Sequence, residues 1–316
     1  VRIFHNIYET LIYNPFVTVG VFDGVHLGHQ SIFKKLIEIA HNNNGESVVF
    51  SFWPHPKMVI GNDTSNLQMI YSYDEKVQLI KETGIENLIV VPFTKEFSQF
   101  SSEAFIEHYL FNSLKIKGLI VGFDHKFGKD QEGSFEILEK YSVKYNFMLK
   151  RVEAFTIDNV NVSSTIIRSA LKNGEIERAN LYLSRNFTLA GTVTYGKKIG
   201  NTLGFPTANI EPDFEYKIIP CNGVYAVKAR IGVLEYPGML NIGYRPTFNH
   251  RNESKTIEVH IIGFEGYLYQ KKIELTFYTR IRNEIKFDTI DMLISQLQRD
   301  KLQVSNYFLK AKSIEI

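Results

Sequence analysis

The chain has 316 residues, 36 basic against 34 acidic, a formal charge of +2 and one cysteine, Cys221. That length allows two domains with separate cores. The near-balance of charge gives no electrostatic case for nucleic acid or a membrane surface as partner, and one cysteine excludes an intrachain disulfide.

The opening Val-Arg-Ile-Phe-His-Asn has no apolar signal core, and no apolar run approaches the roughly 18 residues that span a bilayer, so a cytoplasmic protein is expected. Residues 17–21 read as a buried strand, and 31–41 carry Ile32, Phe33, Leu36, Ile37 and Ala40 at helical spacing. Between them runs Gly20-Val-Phe22-Asp23-Gly24-Val-His26-Leu-Gly28-His29, a Gly-rich loop at the mouth of a helix. Helix starts expose N–H groups with partial positive charge, and imidazoles add donors, so this pattern suits a polyphosphate. On its own, His-x-x-His fits two ordinary surface or core histidines better, and a zinc site lacks a third ligand; the preceding strand and Gly20, Gly24 and Gly28 favour phosphate.

Residues 47–52 read as a second strand, leading into Phe52-Trp53-Pro54-His55-Pro56. Its prolines stiffen a loop that either walls a planar ligand or simply turns the chain. A helix over 74–83 closed by Gly84, a strand over 88–91, a helix over 102–112 and a strand over 118–121 follow. The last strand enters Gly122-Phe-Asp124-His-Lys126-Phe-Gly128-Lys129, whose spacing is not that of a P-loop. Ser163, Ser164 and Thr165 open another helix; hydroxyls there are usual caps, and Arg168 one turn inside can reach back to a phosphate. Strands alternating with helices predict a mainly parallel sheet with ligands beyond its carboxyl ends.

From about residue 188 short strands take over, at 188–195, 224–231, 239–242, 256–262 and 273–278, predicting a small β-barrel or sandwich. Gly196, Gly200 and Gly204 precede Phe205-Pro206-Thr207-Ala-Asn209, a spacing for close backbone approach to a ligand or for a hairpin. On extended chain Thr207 and Asn209 point the same way, two neutral oxygens suited to a magnesium shell made mostly of phosphate and water. A final helix has Asp288 as its expected N-cap and Ile290, Leu293, Ile294, Leu297, Val304 and Phe308 as its apolar stripe. The expected domains are 1–183 and 188–316.

Taken in order, Gly-Val-Phe-Asp-Gly-Val-His-Leu-Gly-His, Pro-His-Pro, Gly-Phe-Asp…Phe-Gly-Lys, Ser-Ser-Thr-x-x-Arg and Leu-Gly-Phe-Pro-Thr-Ala-Asn resemble the bacterial bifunctional riboflavin kinase/FMN adenylyltransferase family. The resemblance implies an α/β Rossmann-like nucleotidyltransferase domain, then an antiparallel riboflavin kinase-like β-barrel with a C-terminal helix. It implies riboflavin, FMN and ATP as substrates, with Mg2+. In the first domain it implies Gly20, Phe22, Asp23, Gly24, Gly28, Ser163, Ser164 and Thr165 at the nucleotide. It also implies His26, His29 and Arg168 in catalysis there, with Pro54, His55, Pro56 and Asp124 toward the flavin.

In the second domain the same resemblance implies Gly196, Gly200, Gly204 and Pro206 at the nucleotide and Thr207 and Asn209 at the metal. Glu258 would be the base for the riboflavin 5′-hydroxyl, with Arg282, Glu284 and Phe287 on the flavin side. By residue type alone Glu258 fits an exposed strand carboxylate, and Arg282 with Glu284 a surface pair. A hydroxyl nucleophile gains from a positioned base, whereas a phosphate nucleophile needs none.

Several residues depart from the family pattern. Asn201, Lys126 and Gln131 stand where arginines are usual, Ser184 and Asn186 replace a Gly and a Pro, and Tyr267 and Gln270 replace an Asp and a Gly. A lost Arg removes a bidentate phosphate contact that Lys does not reproduce. A chain active only as a kinase, and a non-catalytic flavin or nucleotide sensor, are the competing readings.

Overall fold

The computed structural model describes residues 1–61, 67–123, 126–129, 132–196, 199–244 and 255–314. Contacts divide the chain into two units, Val1–Ser164 and Thr165–Ile316.

The first unit is built on six strands: β1 (Arg2–Phe4), β2 (Pro15–Val19), β3 (Glu46–Trp53), β4 (Asn87–Pro92), β5 (Gly118–Gly122) and β6 (Met148–Val152). They pair in parallel, in the order β1-β4-β3-β2-β5-β6. From β2 the chain steps outward through β3 and β4 on one side and through β5 and β6 on the other. The reversal falls between β2 and β5, and open parallel sheets bind ligands beyond the carboxyl ends at such a point.

Helices cover both faces. Phe16, Val49, Leu88, Val90 and Ile120 meet α1 (Leu27–Asn42); beyond the short α2 (Pro56–Ile60), α3 (Tyr73–Glu82) adds Val77 and Ile80 to the same core. Val17, Val48, Phe50, Ile89 and Leu119 point the other way, toward α4 (Ser102–Phe105), its π-helical continuation Ile106–Ser113 and α5 (Phe135–Tyr145). This alternation is the pleat of a sheet buried on both sides. A two-stranded hairpin, β7 (Thr156–Ile157) with β8 (Val160–Asn161), completes the unit.

The expected elements are present with shifted ends. The first apolar strand stops at Val19, and α1 begins at Leu27, four residues before the expected start. Edge strands β1 and β6 and helix α5 were not anticipated. β1 has three residues and β6 reads Met-Leu-Lys-Arg-Val, so neither shows an apolar run.

In the second unit, α6 (Ser164–Asn173, opening at the last residue of the first unit) and α7 (Ile176–Leu183) precede the strands. Those strands are β9 (Thr188–Thr194), β10 (Ala208–Pro212), β11 (Gly223–Ile231), β12 (Leu234–Tyr244), β13 (Lys255–Ile261) and β14 (Lys272–Arg282). Their antiparallel pairs close a barrel in the order β10-β13-β12-β11-β14-β9, which decides between barrel and sandwich. The barrel strands begin at Thr188, where the short-strand pattern was expected to start. α7 nevertheless groups with the barrel, because Asn180 Nδ2 donates to the Phe277 carbonyl at 2.9 Å and its Oδ1 accepts from Phe187 N at 2.7 Å.

A short helix, α8 (Ile199–Thr202), lies between β9 and β10, and α9 (Ile290–Ile314) ends the chain. Val304 and Phe308 of α9 pack on Val224, Ala226 and Met239. Its cap is Thr289, not Asp288: Thr289 Oγ1 accepts from Met292 N at 3.2 Å, as an N-cap hydroxyl should three residues ahead. Arg282 at the end of β14 forks onto the buried Asp300 of α9, with Nε 3.0 Å from Oδ1 and Nη2 2.7 Å from Oδ2.

Candidate functional site

The loop after β2 is held in an unusual backbone shape. Phe22 (φ 54°), Gly24 (φ 91°) and Val25 (φ 42°) are all left-handed. Phe and Val rarely adopt that region, and such strain persists only where surrounding packing over-determines it. Both side chains are buried in the core beneath α1, and Phe22 meets Phe33 (4.9 Å) and His29 (5.1 Å) edge to face. Asp23 is buried; its carboxylate accepts from the N–H of Ile70 (3.1 Å) and Tyr71 (3.4 Å), and its carbonyl from Ser164 Oγ (2.7 Å). Asp23, expected at the nucleotide, is thus also the brace of this loop.

This turn delivers His26 as the N-cap of α1 and His29 into its first turn, with the two rings stacked at 3.6 Å and 23°. His26 makes no side-chain cap, so the leading N–H groups of α1 lack the acceptor a Ser or Asp would supply. Gly28 permits the stack: a Cβ there would stand 3.1 Å from both His26 Cε1 and the Val162 carbonyl. Burial first, then His26 and Lys76, hold His29 well below the ordinary imidazole range. His29 is neutral at pH 7, able to donate a hydrogen bond to phosphate and to gain a proton as negative charge arrives.

The proline loop is built as a turn and a cap. The Trp53–Pro54 peptide is cis, His55 Nδ1 accepts from Lys57 N at 3.1 Å, and Pro56 is the first residue of α2. Asp124 and Gln131 lie outside the described residues, as does the side chain of Asn201; Lys126 is exposed. Ser164 opens α6, and Thr165 and Arg168 follow along that helix within the second unit.

In the barrel the expected groups converge. Asn209 on β10 stands opposite Glu258 on β13, and Thr207 Oγ1 donates to Glu258 Oε2 at 3.4 Å. The glycine loop lies against this pair: a Cβ on Gly196 would run into the Asn209 amide, and one on Gly200 into the Phe205 carbonyl. Those glycines serve close packing of backbone on the polar cluster. With its hydrogen directed at Glu258, the Thr207 hydroxyl keeps its lone pairs for a cation, and the Asn209 carbonyl is a second neutral oxygen. Among the described residues no three His, Cys, Asp or Glu side chains cluster as a metal site.

Arg282 and Glu284 do not form the surface pair that residue type allowed. Arg282 is bound to Asp300, and Glu284 Oε2 accepts from Asn222 Nδ2 at 3.0 Å. Phe287 is half-buried in the segment between β14 and α9.

Two groups escaped sequence reading. Lys76 is buried beside the first site, and its place on the apolar face with Val77 and Ile80 was the available signal. His260 shares the face of β13 with Glu258; its Nδ1 lies 2.9 Å from the Pro206 carbonyl, one residue before Thr207. Burial lowers the His260 pKa, favouring the neutral ring that donates from Nδ1.

Residues 11–166 match the FAD synthetase family and residues 183–308 the riboflavin kinase family. The bifunctional riboflavin kinase/FMN adenylyltransferase of Listeria monocytogenes is 37% identical over 297 residues, covering 94% of this chain and 93% of its own. The Bacillus subtilis protein of the same name is 37% identical, with 92% of each chain covered, and that of Escherichia coli K12 is 32% identical over 98% and 97%. A solved structure from Streptococcus pneumoniae, described as a macrolide-efflux protein, is similar with a TM-score of 0.86 and 28% identity, covering 96% of this chain and 98% of that one. Among the described residues no helix is long and apolar enough to cross a membrane. Both family matches, the order of the two folds and the breadth of the identity agree: the chain belongs to the bifunctional riboflavin kinase/FMN adenylyltransferase family.

Proposed function

We propose that the two reactions of this bifunctional transferase divide between its units. The barrel transfers the γ-phosphoryl of ATP to the riboflavin 5′-hydroxyl, giving FMN and ADP. The parallel-sheet unit then joins FMN to the adenylyl group of a second ATP, giving FAD and pyrophosphate. The observation that carries the reading is the convergence of Thr207, Asn209 and Glu258 under Gly196 and Gly200.

In the kinase step Glu258 takes the hydroxyl proton as the oxygen–phosphorus bond forms and the γ-phosphorus–oxygen bond to ADP breaks. Thr207 and Asn209 would hold Mg2+, which supplies charge neutralisation along the phosphates when bound. His260 keeps the Pro206–Thr207 backbone in place for that task.

In the adenylyl step an FMN phosphate oxygen attacks the α-phosphorus of ATP and the bond to the leaving pyrophosphate breaks. No protein nucleophile or base is required, so catalysis reduces to alignment and charge. His26, His29 and the first turn of α1 bind the anionic end. Pro54, His55 and Pro56 are assigned to the flavin side, His55 being held there by the bond from Lys57 N. One cysteine in the chain fits a cytoplasmic enzyme.

The test is to incubate the protein with riboflavin, ATP and magnesium and separate the flavins over time. FAD is expected. FMN alone would leave only the kinase, and unchanged riboflavin would remove both activities. Glu258→Gln should stop FMN formation yet leave FMN-to-FAD conversion, and His29→Ala should do the reverse; loss of both steps in either variant contradicts separate sites.

A further inference from the structure

We propose that Lys76 is a positioning residue of the adenylyltransferase site, a buried ammonium that clamps the histidine loop to the strand leading into the Pro-His-Pro turn. The proposal rests on the reading that the first unit adenylylates FMN.

Lys76 is 3% exposed. Its Nζ donates to the Val21 carbonyl (3.3 Å), Ser51 Oγ (3.1 Å) and the Phe52 carbonyl (3.2 Å), and lies 5.5 Å from the Trp53 ring centroid. Val21 follows β2 and Phe52 is near the carboxyl end of β3, and the two strands are hydrogen-bonded neighbours. One nitrogen therefore ties together the mouths of both strands, and with them the two loops assigned to nucleotide and flavin.

The charge state matters to that role. An ammonium has three N–H donors and no acceptor, so each hydrogen finds a neutral oxygen here. A neutral amine has two donors and would turn a lone pair toward one of those oxygens. The groups facing Nζ are Asp23 from the loop, His29 from α1, and Ser51 with the Trp53 ring from β3. Burial pulls Lys76 down to about 8, with Asp23 opposing the shift. The same positive charge contributes to keeping His29 neutral. Phosphate arriving at α1 favours the ammonium, so nucleotide binding and a fully engaged clamp reinforce each other.

The decisive measurement is the pH dependence of kcat/KM for ATP in FMN-to-FAD conversion, which reports groups of the free enzyme. In the wild type it should fall through an alkaline limb near pH 8. Lys76→Met, similar in length and uncharged, should lower it by about 10- to 100-fold and abolish the limb. Riboflavin-to-FMN conversion in the same protein should stay within about twofold, and the His29 imidazole, followed by NMR with labelled histidine, should titrate at higher pH than in the wild type. A Lys76→Met protein that keeps the wild-type rate and limb, or an unmoved His29, overturns the proposal. A wild-type profile without a limb between about pH 7 and 9 overturns it with no variant at all, which covers a Lys76→Met chain that fails to fold. A wild type that makes no FAD from FMN at any pH would instead sink the reading of the site, and the clamp with it.

Discussion

Removing the Asp300 carboxylate asks whether Arg282 anchors the barrel or serves the flavin. Arg282 gives Asp300 a bidentate fork, Gln296 Nε2 adds a third donor at 2.7 Å, and the two side chains are 17% and 1% exposed. Breaking one side of a buried pair typically costs about 3–5 kcal/mol, because the other charge is left uncompensated. Arg282 retains some solvent access, so Asp300→Leu belongs at the lower end, about 3 kcal/mol. For a unit of this size that lowers the melting temperature by roughly 6–12 °C.

Adding Arg282→Met should recover most of the loss, since an apolar pair of similar volume is often no worse than the ion pair. Calorimetry on the two variants and the wild type measures this directly. The functional arm is KM for riboflavin: an anchor predicts a near-normal value in the restabilised double variant, a flavin ligand a value that stays high. An Asp300→Leu protein melting within about 2 °C of the wild type would refute the energetic argument.

Three further outcomes follow from the same geometry. Ser184 (φ 57°) and Gln270 (φ 64°) occupy left-handed positions, so Ser184→Gly and Gln270→Gly should each stabilise the barrel unit by about 0.5–1 kcal/mol in denaturant titrations. Gly28→Ala wedges a methyl between an unyielding carbonyl and the His26 ring; FAD formation should drop about tenfold with kinase activity unchanged, and flavin chromatography reads both. His29 is held neutral in the fold while the unfolded chain protonates near 6.5, so its contribution is complete above that pH and is lost as pH falls below it. Comparing the wild type with His29→Gln in urea at several pH values isolates that slope, at most about 1.4 kcal/mol per unit.

The order of the two folds was legible because each has its own period, helix alternating with strand before residue 188 and short alternating strands after it. Strand order was not, since nothing in an apolar run says that β2 pairs with β5 as well as β3. The residues expected at the barrel site came from two segments that the register brings side by side, Thr207–Asn209 and Glu258. Lys76 and Asp300 were missed for a common reason: a charged side chain reads as surface until its partners, far along the chain, are known.

Three of the departures from the family pattern have a visible setting in the fold. Ser184 and Gln270 stand where glycine suits the left-handed φ, while Asn186, in place of a Pro, accepts a hydrogen bond from Asn180 Nδ2 at 3.0 Å.

The left-handed backbone at Phe22 and Val25 makes the histidine loop a dependent of the core beneath it. Phe33 is fully buried, yet its ring helps to hold Phe22, and Phe22 in turn supports His29. Trimming Phe33 to Leu would let the loop relax toward an ordinary turn while the sheet stayed folded. Such an allele should look catalytic in a genetic screen: temperature-sensitive for FAD, normal for FMN, and missed by any survey limited to the motif residues.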